Sequence, residues 1–141
     1  MHICVAESKI DILRCFPLMK QLRTDLEEPE FLLRVQRQME SFGYRLAFVE
    51  DGDDVKGVAG FRLSECLADG TYLYVDDLVV KQDARSQGHG GQLFDWIVNH
   101  ARQNHCQVVE LDSGVQRFEA HRFYFKKRMR ISSHHFSLDV E

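Results

Sequence analysis

The sequence predicts an α/β (α+β) fold, a mixed and mostly antiparallel sheet with helices on both faces. Three observations carry that expectation. Strand-like runs alternate with amphipathic helical stretches along the whole chain. The strand-like run Tyr72–Val80 leads into a glycine-rich turn, Ala84-Arg85-Ser86-Gln87-Gly88-His89-Gly90-Gly91. No repeat, low-complexity tract or linker interrupts the 141 residues, so residues 1–141 read as one domain.

The elements follow in order. Ile3 to Glu7 is an edge strand. Ser8 and Asp11 have capping-box spacing, and Ile12, Cys15, Phe16, Met19 and Leu22 continue at helical spacing. Pro17 lies inside that pattern and should kink or restart the helix. A second helix is expected from Pro29 to Phe42, with Asp25 or Glu28 before it and Gly43 ending it. Tyr44–Glu50 and Val55–Leu63 form a hairpin across Asp51-Gly52-Asp53-Asp54, and Thr71–Val80 is the next strand. The helix after the glycine turn, Gln92 to Gln103, buries Leu93, Trp96, Ile97 and Ala101. A short inner strand at Gln107–Ser113, a helix at Arg117–Arg128 and a closing strand at Ile131–Val140 complete the chain.

Composition narrows the function. The chain is 44% hydrophobic and 28% charged, ordinary for a globular protein, and its formal charge is −4. That charge gives no pull toward nucleic acid or acidic membranes, and no apolar run reaches membrane-spanning length. Cys4, Cys15, Cys66 and Cys106 form no CxxC pair, and the histidines show no HExxH-like spacing, so no metal site is expected. With no signal peptide ahead of these cysteines, a reduced, cytoplasmic protein is the expectation.

The glycine turn carries the chemistry. A strand, a glycine turn and a helix N-terminus aim main-chain N–H groups and a positive dipole end at one spot, which suits a phosphate. A Walker loop is excluded because Gly91 is followed by Gln92-Leu93, not Lys-Ser/Thr. A Rossmann fingerprint would open the first βαβ unit, whereas here a hairpin precedes the turn.

Arg85-x-x-Gly88-x-Gly90, five residues after Val80, resembles the acetyl-CoA signature of the GNAT N-acetyltransferases, and the element order is similar over nearly the whole chain. The resemblance implies the GNAT fold, with six to seven strands and about four helices, and acetyl-CoA as acyl donor. It implies Arg85, Ser86, Gln87, Gly88, His89, Gly90 and Gly91 as the pyrophosphate loop, and Leu78, Val79 and Val80 as contacts to pantetheine and acetyl. The oxyanion is assigned to the Val80 N–H, because no side chain at this site is suited to it. Ala120-His-Arg-Phe-Tyr124 resembles the family's second motif, which makes Tyr124 the candidate general acid for the leaving thiolate. Arg117 stands where many members have asparagine, so a cofactor contact there depends on its guanidinium.

Asp76 and Asp77 are consecutive carboxylates. In a regular strand they point to opposite faces, and a bulge would alter that. Tyr74-Val-Asp-Asp-Leu-Val-Val80 is similar to the pattern of the diamine acetyltransferase branch, which favours Asp76 as the base over Asp77. Holding a cationic substrate while water takes the proton is equally open. Glu110 and Asp112 flank the next strand's end and are candidates to join this acidic mouth. The basic run Lys126-Lys127-Arg128-x-Arg130 sits at a helix C-terminus, where the dipole accounts for it. The expected function is transfer of acetyl from acetyl-CoA to a primary amine, of a small molecule before a protein, by direct attack. A CoA-binding regulatory module without turnover is the rival. A homodimer is a further possibility raised by the resemblance.

Overall fold

A computed structural model describes residues 2–81 and 88–141. Its elements are β1 (His2–Val5), α1 (Lys9–Arg14), α2 (Phe16–Leu22), α3 (Glu28–Ser41), β2 (Tyr44–Asp51), β3 (Asp54–Cys66), β4 (Gly70–Val80), α4 (His89–Gln103), β5 (Val108–Leu111) and α5 (Phe118–Lys126). The sheet has five strands in the order β1-β2-β3-β4-β5. β1 through β4 are joined by three antiparallel pairings. By contacts the chain forms two units, one ending at Glu110 and one spanning Leu111–Glu141.

Local chemistry explains the helices. Ser8 caps α1, its Oγ accepting from the Asp11 N–H at 3.1 Å. Pro17 restarts the chain as a separate α2, within whose first turn a missing N–H costs nothing. The kink or restart expected at Pro17 is therefore a break into two short helices joined at Cys15.

The first unit is layered. Ile12, Leu18, Met19, Phe31 and Val35 of α1–α3 pack with Leu46, Phe48 and Val58 in one buried cluster. On the other face, α4 covers Phe61, whose ring meets Trp96 at 6.0 Å and His100 at 5.5 Å. A Cβ at Gly57 would sit 3.0 Å from Val49 Cγ1 and 3.5 Å from Leu93, so α4 packs closely on the strands there. At the β1 edge, Glu50 accepts from His2 and, at 2.8 Å, from Arg14. Arg14 chiefly, with His2 second, holds that carboxyl below its ordinary value.

The second unit departs from expectation. Residues 129–141 form no strand, and residues 131–141 are exposed throughout. The six to seven strands implied by the family resemblance are therefore five among the described residues. The pattern Phe136-x-Leu138-x-Val140 has strand periodicity, but among the described residues no strand pairs with it.

Burial gives a pH test of the core. Cys15 is fully buried, and desolvation pushes its thiol from 9.0 up to about 12. In that interval the unfolded chain releases a proton that the folded chain retains. The stability contribution is therefore complete below pH 9 and is lost as pH rises toward 12. We predict that urea stability falls between about pH 8 and about pH 10.5, and that Cys15→Ala, though less stable at neutrality, loses less over that interval. Equal losses in both proteins would show that this thiol does not couple to folding.

Candidate active site

The site begins with an irregularity in β4. Asp77 lies opposite Gly60 and Val75 opposite Phe61, so Asp76 is an extra residue with no partner across the ladder. Such a bulge breaks strict alternation. Both aspartates consequently line one cavity of about 600 Å³, bordered by Leu22, Arg23, Phe31 and Arg34.

The two carboxylates are held differently. Asp76 takes both of its bonds from one guanidinium, Arg62 Nε to Oδ2 and Nη2 to Oδ1, each at 2.8 Å. This is a bidentate pair, and Arg62 in turn lies over the Tyr74 ring at 5.3 Å. The hydrogen bond to Asp76 raises the Arg62 pKa, so the guanidinium stays charged.

Asp77 accepts from the Tyr44 hydroxyl at 2.7 Å on Oδ2 and from Arg23 Nε at 3.0 Å on Oδ1. Tyr44 is 2% exposed. Burial first, and then the Asp77 charge, push its pKa well above 10, so it remains a donor throughout the working range. Its ring needs the missing side chain at Gly60. A Cβ there would meet Tyr44 Cζ at 2.4 Å and lie nearer still to the hydroxyl oxygen. Arg23, by contrast, is half exposed and lies just beyond α2, where it also donates to the Asp76 carbonyl at 2.9 Å. Asp77 thus has one fixed partner and one on a long side chain at the cavity rim.

At the other end of β4, Leu78, Val79 and Val80 pair with Ala59, Val58 and Gly57. Gly88 then caps α4 with φ +83°, a left-handed conformation suited to glycine, and no side chain caps the helix. His89 and Gly90 are buried at the helix start, Gly91 is half-buried, and His89 Nε2 is 4.0 Å from Asp51 Oδ2. The 15-residue α4 therefore presents the N-terminal main chain that an anion requires. Arg85, Ser86 and Gln87 lie outside the described residues.

Within the second unit, Tyr124 is half-buried on α5. Burial raises its pKa from 10.0, opposed by the charge and a hydrogen bond of Arg117 at the helix N-cap. The two residues are seven apart, two turns along one side of the helix. His121 is engaged with the Gly114 carbonyl at 2.9 Å, and Asp112 with His135 at 3.5 Å.

Sequence reasoning placed Tyr44 in the sheet without a role and did not single out Arg23, Arg62 or Gly60. The only available signal was the Asp76-Asp77 pair itself, since two adjacent carboxylates demand compensating donors.

Comparison with known proteins decides the family. The acetyltransferase (GNAT) family matches residues 11–129. The chain belongs to that family. It is 31% identical over 127 residues to the uncharacterized N-acetyltransferase YhdJ of Bacillus subtilis (strain 168), covering 90% of this chain and 89% of that one. It is 35% identical over 63 residues to the aminoalkylphosphonate N-acetyltransferase of Salmonella typhimurium, 45% of this chain and 41% of that one. In fold it resembles an aminoglycoside N-acetyltransferase solved in complex with CoA, at a TM-score of 0.84 and 12% identity over 98% of this chain and 94% of that one. The protein is an N-acetyltransferase of the GNAT fold.

The Gly60 cradle yields a prediction. Gly60→Ala displaces the Tyr44 ring, which we expect to cost about 1–3 kcal/mol and to raise the KM for the amine. An unchanged urea midpoint would show that the ring moves aside freely.

Proposed function

We propose that this protein transfers acetyl from acetyl-CoA to the primary amine of a small molecule, by direct attack in the cavity floored by Asp76 and Asp77. The observation that carries the reading is the asymmetric pair of carboxylates. Arg62 already neutralises Asp76, whereas Asp77 holds Arg23 only through a half-exposed side chain. An ammonium group entering the cavity can displace that guanidinium and gain a carboxylate that Tyr44 keeps oriented. Asp77 then holds the amine and takes its proton, directly or through water. Asp76, the stronger candidate by resemblance, serves with Arg62 to fix the bulge.

The donor's diphosphate is assigned to the first turn of α4, where Gly88 is exposed and no side chain caps the helix, with Arg85, Ser86 and Gln87 completing the proposed loop. Acetyl-CoA supplies the activated acyl thioester. Leu78, Val79 and Val80 are the proposed contacts to its pantetheine and acetyl groups. Tyr124 returns a proton to the leaving thiolate. Its raised pKa keeps the phenol protonated at neutral pH, and the Arg117 hydrogen bond orients the oxygen. The curated relative that acts on aminoalkylphosphonates supports a small amine over a protein. The cytoplasm is the proposed location, to which four free thiols are suited.

The decisive experiment is thioester-dependent turnover across a diverse amine library, read as free thiol. No release with any amine would favour the non-catalytic CoA module. Tyr124→Phe should lower kcat roughly 100-fold with little change in donor affinity. The wild-type kcat should show no alkaline fall due to this group below about pH 10. Asp77→Asn should raise the amine KM far more than Asp76→Asn does. A larger effect at Asp76 would return the base to the residue that the resemblance favours.

A further inference from the structure

Arg23 and Asp77 form an ion pair of unequal exposure, the Asp77 side chain being 16% exposed and the Arg23 side chain 50%. Arg23 turns one edge of its guanidinium on the carboxylate, with Nε at 3.0 Å and Nη2 at 2.9 Å from the same Oδ1. That edge is the planar fork with which arginine grips carboxylates and phosphate-like oxyanions. Nη2 also donates to the Asp76 carbonyl at 2.9 Å. The main chain of Arg23 is fixed as well. Its N–H donates to the Met19 carbonyl at 2.8 Å, and its carbonyl accepts from the Leu26 N–H at 3.1 Å. The guanidinium is therefore tethered at the cavity rim independently of Asp77.

We infer that the acceptor amine carries its own oxyanion, a carboxylate or a phosphonate, which Arg23 binds once the ammonium has taken Asp77. The inference rests on the proposed acetyl transfer to an amine at Asp77 and names the class of that amine. Binding is then an exchange of partners. The Arg23–Asp77 pair opens, the ammonium pairs with Asp77, and the substrate's anion enters the fork that Asp77 has left. The internal ion pair holds the place of a zwitterion.

Charge balance around the cavity selects this class over a plain or polycationic amine. Arg62 holds Asp76 through two bonds of 2.8 Å, and Arg34 holds Glu30 at 2.7 Å. The remaining acid of the lining, Asp25, is exposed to water in the segment between α2 and α3. A plain amine would take Asp77 and leave the Arg23 guanidinium with a carbonyl in place of a carboxylate. A second guanidinium, that of Arg34, lines the same cavity. A diamine would bring a further cation to this surface, where like charges repel. A zwitterion instead returns a counter-ion to both Asp77 and Arg23. The resemblance of β4 to the diamine acetyltransferase branch points the other way, so the two classes separate experimentally.

The test compares matched amines by thiol release: short amino acids, their carboxamides, and aminoalkylphosphonates and diamines of the same length. In the wild type the oxyanion-bearing amines should exceed the carboxamides in kcat/KM by about 10- to 100-fold, the factor for one charge-assisted pair, with the difference lying in KM. Carboxylate against phosphonate at equal length identifies which oxyanion the fork takes. Arg23→Gln should remove most of this preference while leaving turnover of the carboxamides unchanged or improved, because Asp77 then has no internal cation to release. Arg23→Lys should restore part of the preference. Carboxamides or diamines that equal the oxyanion-bearing amines in the wild type would overturn the inference and leave acetyl transfer standing. So would a preference that survives Arg23→Gln, or a parallel loss for all amines in that variant. No thiol release from any amine would overturn the proposed function, and the inference with it.

Discussion

The site depends on one unpaired residue in β4. Without the break between Val75 and Asp77 opposite Phe61 and Gly60, alternation would turn one of the two aspartates toward the α4 face. The bulge puts both carboxylates at one cavity, and the energetic consequence is severe, because adjacent negative charges must then be compensated locally. The chain meets that demand with Arg62, Arg23 and the Tyr44 hydroxyl, drawn from β3, the end of α2 and β2. Elements far apart in sequence are thereby tied to one point. Gly60 belongs to the same constraint, since only a residue without a side chain leaves room for the ring that reaches Asp77.

The division of labour between the two aspartates follows from their partners. A bidentate guanidinium fills both oxygens of Asp76, and its planar fork suits that carboxylate well. The Tyr44 phenol engages Asp77 without adding charge, so the carboxylate keeps its attraction for a cation. Arg23 satisfies that attraction meanwhile, from a half-exposed position where its release into water costs little. Asp77 thus combines one buried neutral partner with one half-exposed cationic partner, the arrangement on which the proposed amine site rests. That property is more informative about an amine acceptor than the bare presence of two acids.

Much of this was legible in the sequence. The Ser8 cap, the restart at Pro17, the hairpin at Gly52 and the helix that begins after Gly88 each rest on a local rule, and the structure places each within a few residues of its expected bounds. The adjacent carboxylates were also readable, and the role of Tyr124 is an expectation that comes from resemblance to the family's motifs. What could not be read was tertiary. Nothing local marks Tyr44 as the partner of Asp77, because the two are 33 residues apart and meet only once three strands have paired. The bulge likewise comes from register across β3 and β4, which no single strand encodes.

The expected closing strand at Ile131–Val140 shows the limit of periodicity in another way. Alternation of Phe136, Leu138 and Val140 with polar residues states correctly that the segment is amphipathic with period two. It does not state where the partner strand resides. A strand is a relation between two segments, whereas an α-helix satisfies its own backbone, and so the same quality of pattern produced α5 but left residues 131–140 outside any strand among the described residues. Sequence pattern thus specifies an amphipathic surface but not the partner that would cover it.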